Sequence, residues 1–171
     1  MLPNFPYNIR IRLGFSLVLW KLNFFQVLWI HRSQVICGGS IYKPNVIITT
    51  GSCCLPFENG LLWNETTIVA AELVRNQNEG VEQARSIKSH KIHPDFHFGS
   101  TADDICLLEL DSDFDFNGNV SAIELNTNEV ILDPTSSCTI AGWGKTHVSI
   151  DCIEAILLNC RGVTGEWAGW A

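Results

Sequence analysis

The stretch Cys-Gly-Gly-Ser-Ile-Tyr-Lys-Pro-Asn-Val-Ile-Ile-Thr-Thr-Gly-Ser-Cys, residues 37 to 53, sets the interpretation of the whole chain. It contains two runs rich in β-branched residues, and the Lys-Pro-Asn sequence between them is a turn signal. Two other informative stretches follow: Asp-Asp-Ile-Cys-Leu-Leu-Glu-Leu at 103 to 110, and Cys-Thr-Ile-Ala-Gly-Trp-Gly at 138 to 144. The apolar part of the second stretch is typical of a buried strand. Together they predict short strands that are joined by turns.

Outside these stretches the chain also shows the pattern of short β-strands. Residues 7 to 13 alternate apolar and other side chains, which is the period-2 pattern of a half-buried strand. Residues 66 to 73, 83 to 92 and 105 to 110 are further β-type runs. Many short strands with regular turns favour a barrel or a sandwich, so we predict an all-β fold.

In their order and separation, the three stretches resemble the first half of a trypsin/chymotrypsin-like serine protease, peptidase S1. The resemblance implies the trypsin-like double β-barrel fold, with the first barrel and the start of an incomplete second barrel. We therefore predict four parts: residues 1–33, a poorly matching segment with one strand and an apolar insertion; 34–125, the first barrel; 126–160, a linker and the start of the second barrel; and 161–171, an unmatched tail.

The catalytic positions of the resembled family are only partly kept. Asp104 stands at the position of the triad aspartate, whereas Ser52 stands where the family has its histidine. The Gly-Asp-Ser-Gly-Gly segment that carries the family's nucleophile does not occur in this sequence. Family resemblance implies serine endopeptidase action on peptide bonds, but a hydroxyl does not titrate near neutral pH and cannot act as the base. We predict an inactive form in which Ser52 donates a hydrogen bond to Asp104; the alternative is a non-catalytic binding or regulatory module, a pseudoprotease.

The cysteines indicate an oxidising compartment. There are seven: Cys37, Cys53, Cys54, Cys106, Cys138, Cys152 and Cys160. The resemblance implies a Cys37–Cys53 disulfide and no partner for Cys54 or for Cys106, which we expect to be a small core residue. The pairing of the last three cysteines stays open. Two Asn-x-Ser/Thr motifs, at residues 64–66 and 119–121, are compatible with secretion, which we predict from the family and the cysteines.

An acidic segment resembles the calcium-binding loop of trypsins. By that resemblance the ligands are the carboxylates of Glu72, Glu79 and Glu82 and the carbonyls of Val74 and Gln77. Calcium takes several oxygen ligands, and carboxylates together with loop carbonyls supply them. The alternative is a solvated acidic hairpin that binds no ion. No cofactor is required by the family's chemistry, so calcium is the single candidate.

Charge and hydropathy limit the classes of partner. With 18 acidic and 11 basic residues the net charge is -7, which disfavours nucleic acid and anionic membrane surfaces. The family implies a protein or peptide as substrate or partner. Residues 13 to 30 are nearly apolar, but Lys21, Asn23 and Gln26 interrupt them, so a signal peptide or membrane anchor is disfavoured. We interpret residues 14 to 33 as an insertion relative to the family.

Overall fold

The computed structural model describes residues 10–11, 24–58, 65–74, 77–100, 102–126, 139–140, 143 and 158–159. The strands within these residues are β1 (Arg10–Ile11), β2 (Gln26–His31), β3 (Gln34–Lys43), β4 (Val46–Thr49), β5 (Thr66–Ala70), β6 (Gln83–Arg85), β7 (Ile87–Ile92), β8 (Cys106–Leu110), β9 (Leu125–Asn126), β10 (Thr139–Ile140) and β11 (Leu158–Asn159). One helix is described, α1 (Gly51–Glu58).

Seven of the strands form a single antiparallel sheet in the order β6-β5-β2-β3-β4-β8-β7. Two short antiparallel pairs, β1 with β9 and β10 with β11, accompany it. The sheet fits the first barrel of a trypsin-like fold. The all-β prediction and the trypsin-like fold class are therefore confirmed.

Strand β2 lies in the middle of this sheet, between β3 and β5. Val27, Leu28 and Trp29 are each only 1% exposed. Three consecutive buried residues mean that both faces of β2 are covered, and such a strand is continuously apolar instead of alternating. Residues 26 to 31 of the stretch that we expected to be an insertion thus form a strand of the sheet, and the expected boundary at residue 34 is the first residue of β3.

The same strand bears on the idea of a membrane anchor in residues 13 to 30. The last five residues of that apolar stretch, 26 to 30, lie in β2, which is paired with β3 on one side and with β5 on the other. In the part of the chain that the structure describes, no helix is long and apolar enough to cross a bilayer.

Close packing explains one glycine of the Cys-Gly-Gly-Ser motif. A Cβ atom on Gly39 would lie 2.7 Å from Ile47 Cγ2 and 3.1 Å from the carbonyl oxygen of Ile48. Real Cβ atoms do not approach so closely, so any side chain at this position overpacks the β3–β4 contact. A Cβ on Gly38 would meet only a backbone oxygen at 3.8 Å, which is an ordinary contact. The second glycine of the motif, Gly39, is therefore the one that lets β3 approach β4 closely.

Helix α1 was not predicted from the sequence. It contains glycine, two cysteines and Pro56, which are poor helix formers, so local propensity alone does not produce it. Its buried side instead packs on the sheet: Phe57 stacks on Trp29 of β2 with ring centroids 5.1 Å apart. An eight-residue helix needs such tertiary contacts because it is too short to be stable alone. The helix places Ser52 in its first turn.

Candidate functional site

The structure brings Ser52 and Asp104 together, although they are 52 residues apart in sequence. The backbone N–H of Ser52 donates to Asp104 Oδ1 at 2.7 Å. The Ser52 hydroxyl donates to Asp104 Oδ2 at 3.1 Å. Both carboxylate oxygens of Asp104 thus have a partner on residue 52, and the serine occupies the position that a base would need.

The direction of each hydrogen bond around Ser52 follows from its single hydroxyl proton. An ionised Asp104 has no proton to give, so Ser52 must be the donor to it. Thr50 Oγ1 lies 3.1 Å from Ser52 Oγ and 2.9 Å from Cys53 Sγ. Because the serine proton is already committed to Asp104, Thr50 donates to one of these two atoms. The group is a hydrogen-bonded cluster of two hydroxyls, a sulfur and a carboxylate, and it contains no imidazole.

A tight turn delivers Asp104 to this position. Asp103 has a φ of 57°, a left-handed conformation that aspartate tolerates better than most residues. The N–H of His93 donates to the carbonyl oxygen of Ile105 at 2.9 Å, which closes the loop that leads to β8. On the helix side, a Cβ on Gly51 would lie 2.9 Å from the ring of Phe96 and 3.2 Å from Asp104 Oδ1. The absence of a side chain at Gly51 lets the helix start approach the carboxylate.

Two disulfides hold the segments that carry Ser52 and Asp104. Cys37 of β3 is bonded to Cys53, with Cα atoms 6.3 Å apart. Cys54 is bonded to Cys106 of β8, with Cα atoms 6.5 Å apart. The expectation that Cys54 and Cys106 lack a partner was wrong, although Cys106 is fully buried as expected. The adjacent cysteines on α1 fasten the helix to two different strands of the sheet.

The sequence carried a signal for this second bond. Cys54 follows Cys53 directly, so an 8-residue helix with two neighbouring cysteines must present them in different directions. Cys106 follows Asp104 by two residues and starts a strand with an almost wholly apolar sequence. The closeness of Ser52 to Asp104, which the resemblance implied, brings these two cysteines within reach of each other.

The three predicted carboxylates of the acidic segment are also brought together. One carboxylate oxygen from each of Glu72, Glu79 and Glu82 lies within 4.8 Å of the others. The backbone N–H of Glu79 donates to Glu82 Oε1 at 2.6 Å, and that of Val81 donates to Glu82 Oε2 at 2.9 Å. Burial alone would raise the pKa of Glu82, but hydrogen bonds from the loop's backbone N–H groups lower it to about 2. Glu82 is therefore a carboxylate at neutral pH.

The two predicted carbonyl ligands lie in the same segment. The carbonyl oxygen of Val74 accepts a hydrogen bond from the N–H of Gln77 at 3.0 Å. The N–H of Val74 donates to Glu79 Oε1 at 3.1 Å. A carbonyl oxygen has two lone pairs, so the bond from Gln77 leaves Val74 able to act as a ligand. The donor set, which consists of carboxylates and carbonyls, is the type that calcium prefers.

Trp143 is the central residue of the Gly-Trp-Gly motif. It is 8% exposed, and its indole Nε1–H donates to the carbonyl oxygen of Leu73 at 3.4 Å. This contact links the Gly-Trp-Gly motif to the acidic segment. The cysteines whose pairing the sequence left open, Cys138, Cys152 and Cys160, lie outside the described residues.

Known proteins resemble this chain over about two thirds of its length or more. The family model described as Trypsin matches residues 22–155. Trypsin-1 from Astacus astacus is 35% identical over 148 residues, which are 85% of this chain and 54% of that protein. Hypodermin-A from Hypoderma lineatum is 38% identical over 116 residues, 66% of this chain and 40% of that protein. Homo sapiens Chymotrypsin-like elastase family member 1 is 31% identical over 115 residues, 66% of this chain and 42% of that protein.

These relatives also define the extent of the match. The chain spans about half the length, or less, of the curated relatives that it matches. The family match begins at residue 22, so it includes strand β2. Together with the seven-stranded sheet and the paired Ser52 and Asp104, these matches show that the chain belongs to the trypsin-like family of serine proteases.

Proposed function

We propose that this protein is a secreted, non-catalytic member of the trypsin-like family, which binds a protein or peptide partner without cleaving it. The observation that carries the proposal is the pair of hydrogen bonds from Ser52 to the two oxygens of Asp104. In the family's mechanism the aspartate orients an imidazole, and the imidazole takes the proton of the nucleophile. Here the aspartate orients a hydroxyl.

Two further features support a binding role. The first barrel is built with its core and its two disulfides, so the scaffold that presents surface loops is retained. The disulfides also support secretion, because such bonds persist in oxidising compartments. Protein partners are favoured because the family acts on protein substrates and the net charge of -7 disfavours nucleic acid.

Hydrolysis assays test the absence of catalysis. We expect the folded chain to leave casein and fluorogenic peptides with basic, aromatic or small residues at the cleaved position intact, and to remain unlabelled by a fluorophosphonate probe. Asp104→Asn is the matched control, since it removes the charge that a triad needs and keeps the size of the side chain. Hydrolysis above background that Asp104→Asn lowers would overturn the proposal, whereas equal traces in both proteins indicate a contaminating protease.

Calcium binding is a second proposal, supported by the convergence of Glu72, Glu79 and Glu82 within 4.8 Å. Calcium at 100 times its dissociation constant stabilises a protein by about 2.7 kcal/mol. We therefore expect millimolar calcium to raise the Tm by roughly 5–10 °C, and magnesium to raise it less because it demands a smaller octahedral site.

A pair of variants shows whether the acidic segment is responsible. Glu82→Gln is expected to remove most of the calcium-dependent rise in Tm, since it deletes the charge of the residue whose pKa is lowered to about 2. Glu124→Gln, at an exposed position outside the cluster, is expected to keep the full rise. An unchanged Tm of the parent protein in millimolar calcium would show that the segment is a solvated acidic hairpin.

A further inference from the structure

The turn at residues 115 to 121 has a feature that family membership does not explain. Asn119-Val120-Ser121 is an Asn-x-Ser motif without proline at its middle position, the acceptor sequence for N-linked glycans. We propose that Asn119 is an N-glycosylation site. The inference rests on the proposed secretion, because the modification takes place on chains that enter the secretory pathway.

The neighbouring asparagine, not Asn119, holds the turn together. Oδ1 of Asn117 accepts hydrogen bonds from the N–H of Asn119 at 2.7 Å and of Val120 at 3.1 Å. The Asn117 amide Nδ2 donates to the carbonyl oxygen of Asp115 at 3.1 Å. The side chain of Asn119 is exposed, and among the described residues nothing hydrogen-bonds to its side-chain amide group. A modification of Asn119 thus removes no contact of the fold.

The two residues that follow Asn119 anchor the glycosylation motif to the fold. Val120 is fully buried and belongs to the main core cluster. The N–H of Ser121 donates to the carbonyl oxygen of Phe24 at 2.8 Å, and that of Asn117 donates to the carbonyl oxygen of Val120 at 2.9 Å. A glycan on Asn119 therefore extends into solvent from a fixed point, and no core side chain has to move.

The second motif of this type offers an internal comparison. Its third residue, Thr66, begins strand β5, pairs with His31 of β2 and is only 3% exposed. The acceptor Asn64 lies outside the described residues. The described contacts that favour a solvent-facing glycan are thus those around Asn119, and Asn64 serves as the control position.

The reaction balances with one co-reactant, an oligosaccharide linked through a diphosphate to a polyprenyl lipid. Asn119 Nδ2 forms a bond to the anomeric carbon of the first sugar, and the bond between that carbon and the diphosphate oxygen breaks. The lipid diphosphate leaves with the electron pair, and one amide proton is lost to a base. No oxidation or reduction occurs.

Translation of the full chain behind a cleavable secretory leader, in the presence of microsomes, tests the proposal. Protection from added protease identifies the chains that have entered the lumen. We expect most protected chains to carry a glycan that peptide-N-glycosidase removes, converting residue 119 to aspartate as read by mass spectrometry. Asn119→Gln and Ser121→Ala are each expected to lose that glycan, while Ser121→Thr and Asn64→Gln keep it.

The outcomes separate this proposal from the proposed function. Protected chains with an unmodified Asn119 overturn the glycosylation site, because the leader has supplied entry. The same holds if the glycan found on the parent chain survives Asn119→Gln and is lost in Asn64→Gln. Since attachment precedes folding, a variant that folds poorly still reports on the acceptor. Hydrolysis of peptides by the folded chain would overturn only the non-catalytic role.

Discussion

Replacement of Ser52 with histidine is expected to restore amide hydrolysis when the rest of a protease is supplied. The test protein is a chimera in which residues 24–126 of this chain replace the corresponding part of Astacus astacus Trypsin-1, which provides the second barrel. We expect Ser52→His to raise kcat/KM in this chimera by roughly 10³-fold to 10⁶-fold, because a general base is restored beside a carboxylate that is already positioned.

The geometry at Ser52 favours this result. The side chain is exposed, so an imidazole ring needs no space in the core. The backbone N–H of residue 52 keeps its bond to Asp104 Oδ1, and the oxygen Oδ2 that the hydroxyl now contacts becomes free to accept an imidazole N–H. Aspartate and histidine then have the relation that the mechanism requires.

Two variants of the chimera serve as controls for Ser52→His. Ser52→Ala is expected to be as inactive as the parent chimera, which shows that loss of the hydroxyl alone does not create activity. Asp104→Asn in the Ser52→His background is expected to lower kcat by about 10⁴-fold. A Ser52→His chimera that unfolds cooperatively at the Tm of the parent but gains no activity would show that residue 52 is not the missing catalytic element.

Removal of the Cys54–Cys106 disulfide is expected to destabilise the protein more than removal of the Cys37–Cys53 disulfide. The first bond spans 52 residues and the second 16. Loop-closure entropy then gives about 4 kcal/mol for Cys54→Ala/Cys106→Ala and about 3 kcal/mol for Cys37→Ala/Cys53→Ala. Both sulfurs of the longer bond are fully buried, so their loss also leaves a small cavity.

Urea unfolding of the two double variants against the parent chain gives the comparison directly. Each variant keeps the other disulfide and gains no free thiol, which makes them matched controls for one another. Equal free energies of unfolding, or a larger loss for the Cys37 and Cys53 variant, would contradict the prediction and show that local packing outweighs loop length.

The contact between Ser52 and Asp104 could be predicted from sequence because motifs fix it. Residue 52 precedes a cysteine whose family bond leads to β3, and Asp104 precedes an apolar strand of recognisable pattern. Two other stretches, Val46–Thr49 and Cys106–Leu110, are short, rich in β-forming residues and bounded by turns. Their strand structure was therefore also predictable. In both cases local pattern and family topology agree.

Strand β2 and helix α1 were not predicted from the sequence, for two different reasons. Burial on both faces makes β2 continuously apolar, which sequence alone does not distinguish from an insertion or an anchor. Helix α1 lacks helix-forming residues and exists because of Trp29 and two disulfides, which are tertiary contacts. The Cys54–Cys106 pairing was missed because seven cysteines allow many combinations.

The neighbouring cysteines of α1 have a consequence for the covalent integrity of the chain. Because Cys53 leads to Cys37 and Cys54 leads to Cys106, the backbone from 54 to 106 is a closed ring. The acidic segment and the loop with Phe98, which is 84% exposed, both lie within that ring. A single cut by a protease in either loop leaves the two pieces joined, so a nicked molecule gains only the mass of one water and keeps its sheet until a reductant reaches the buried sulfurs.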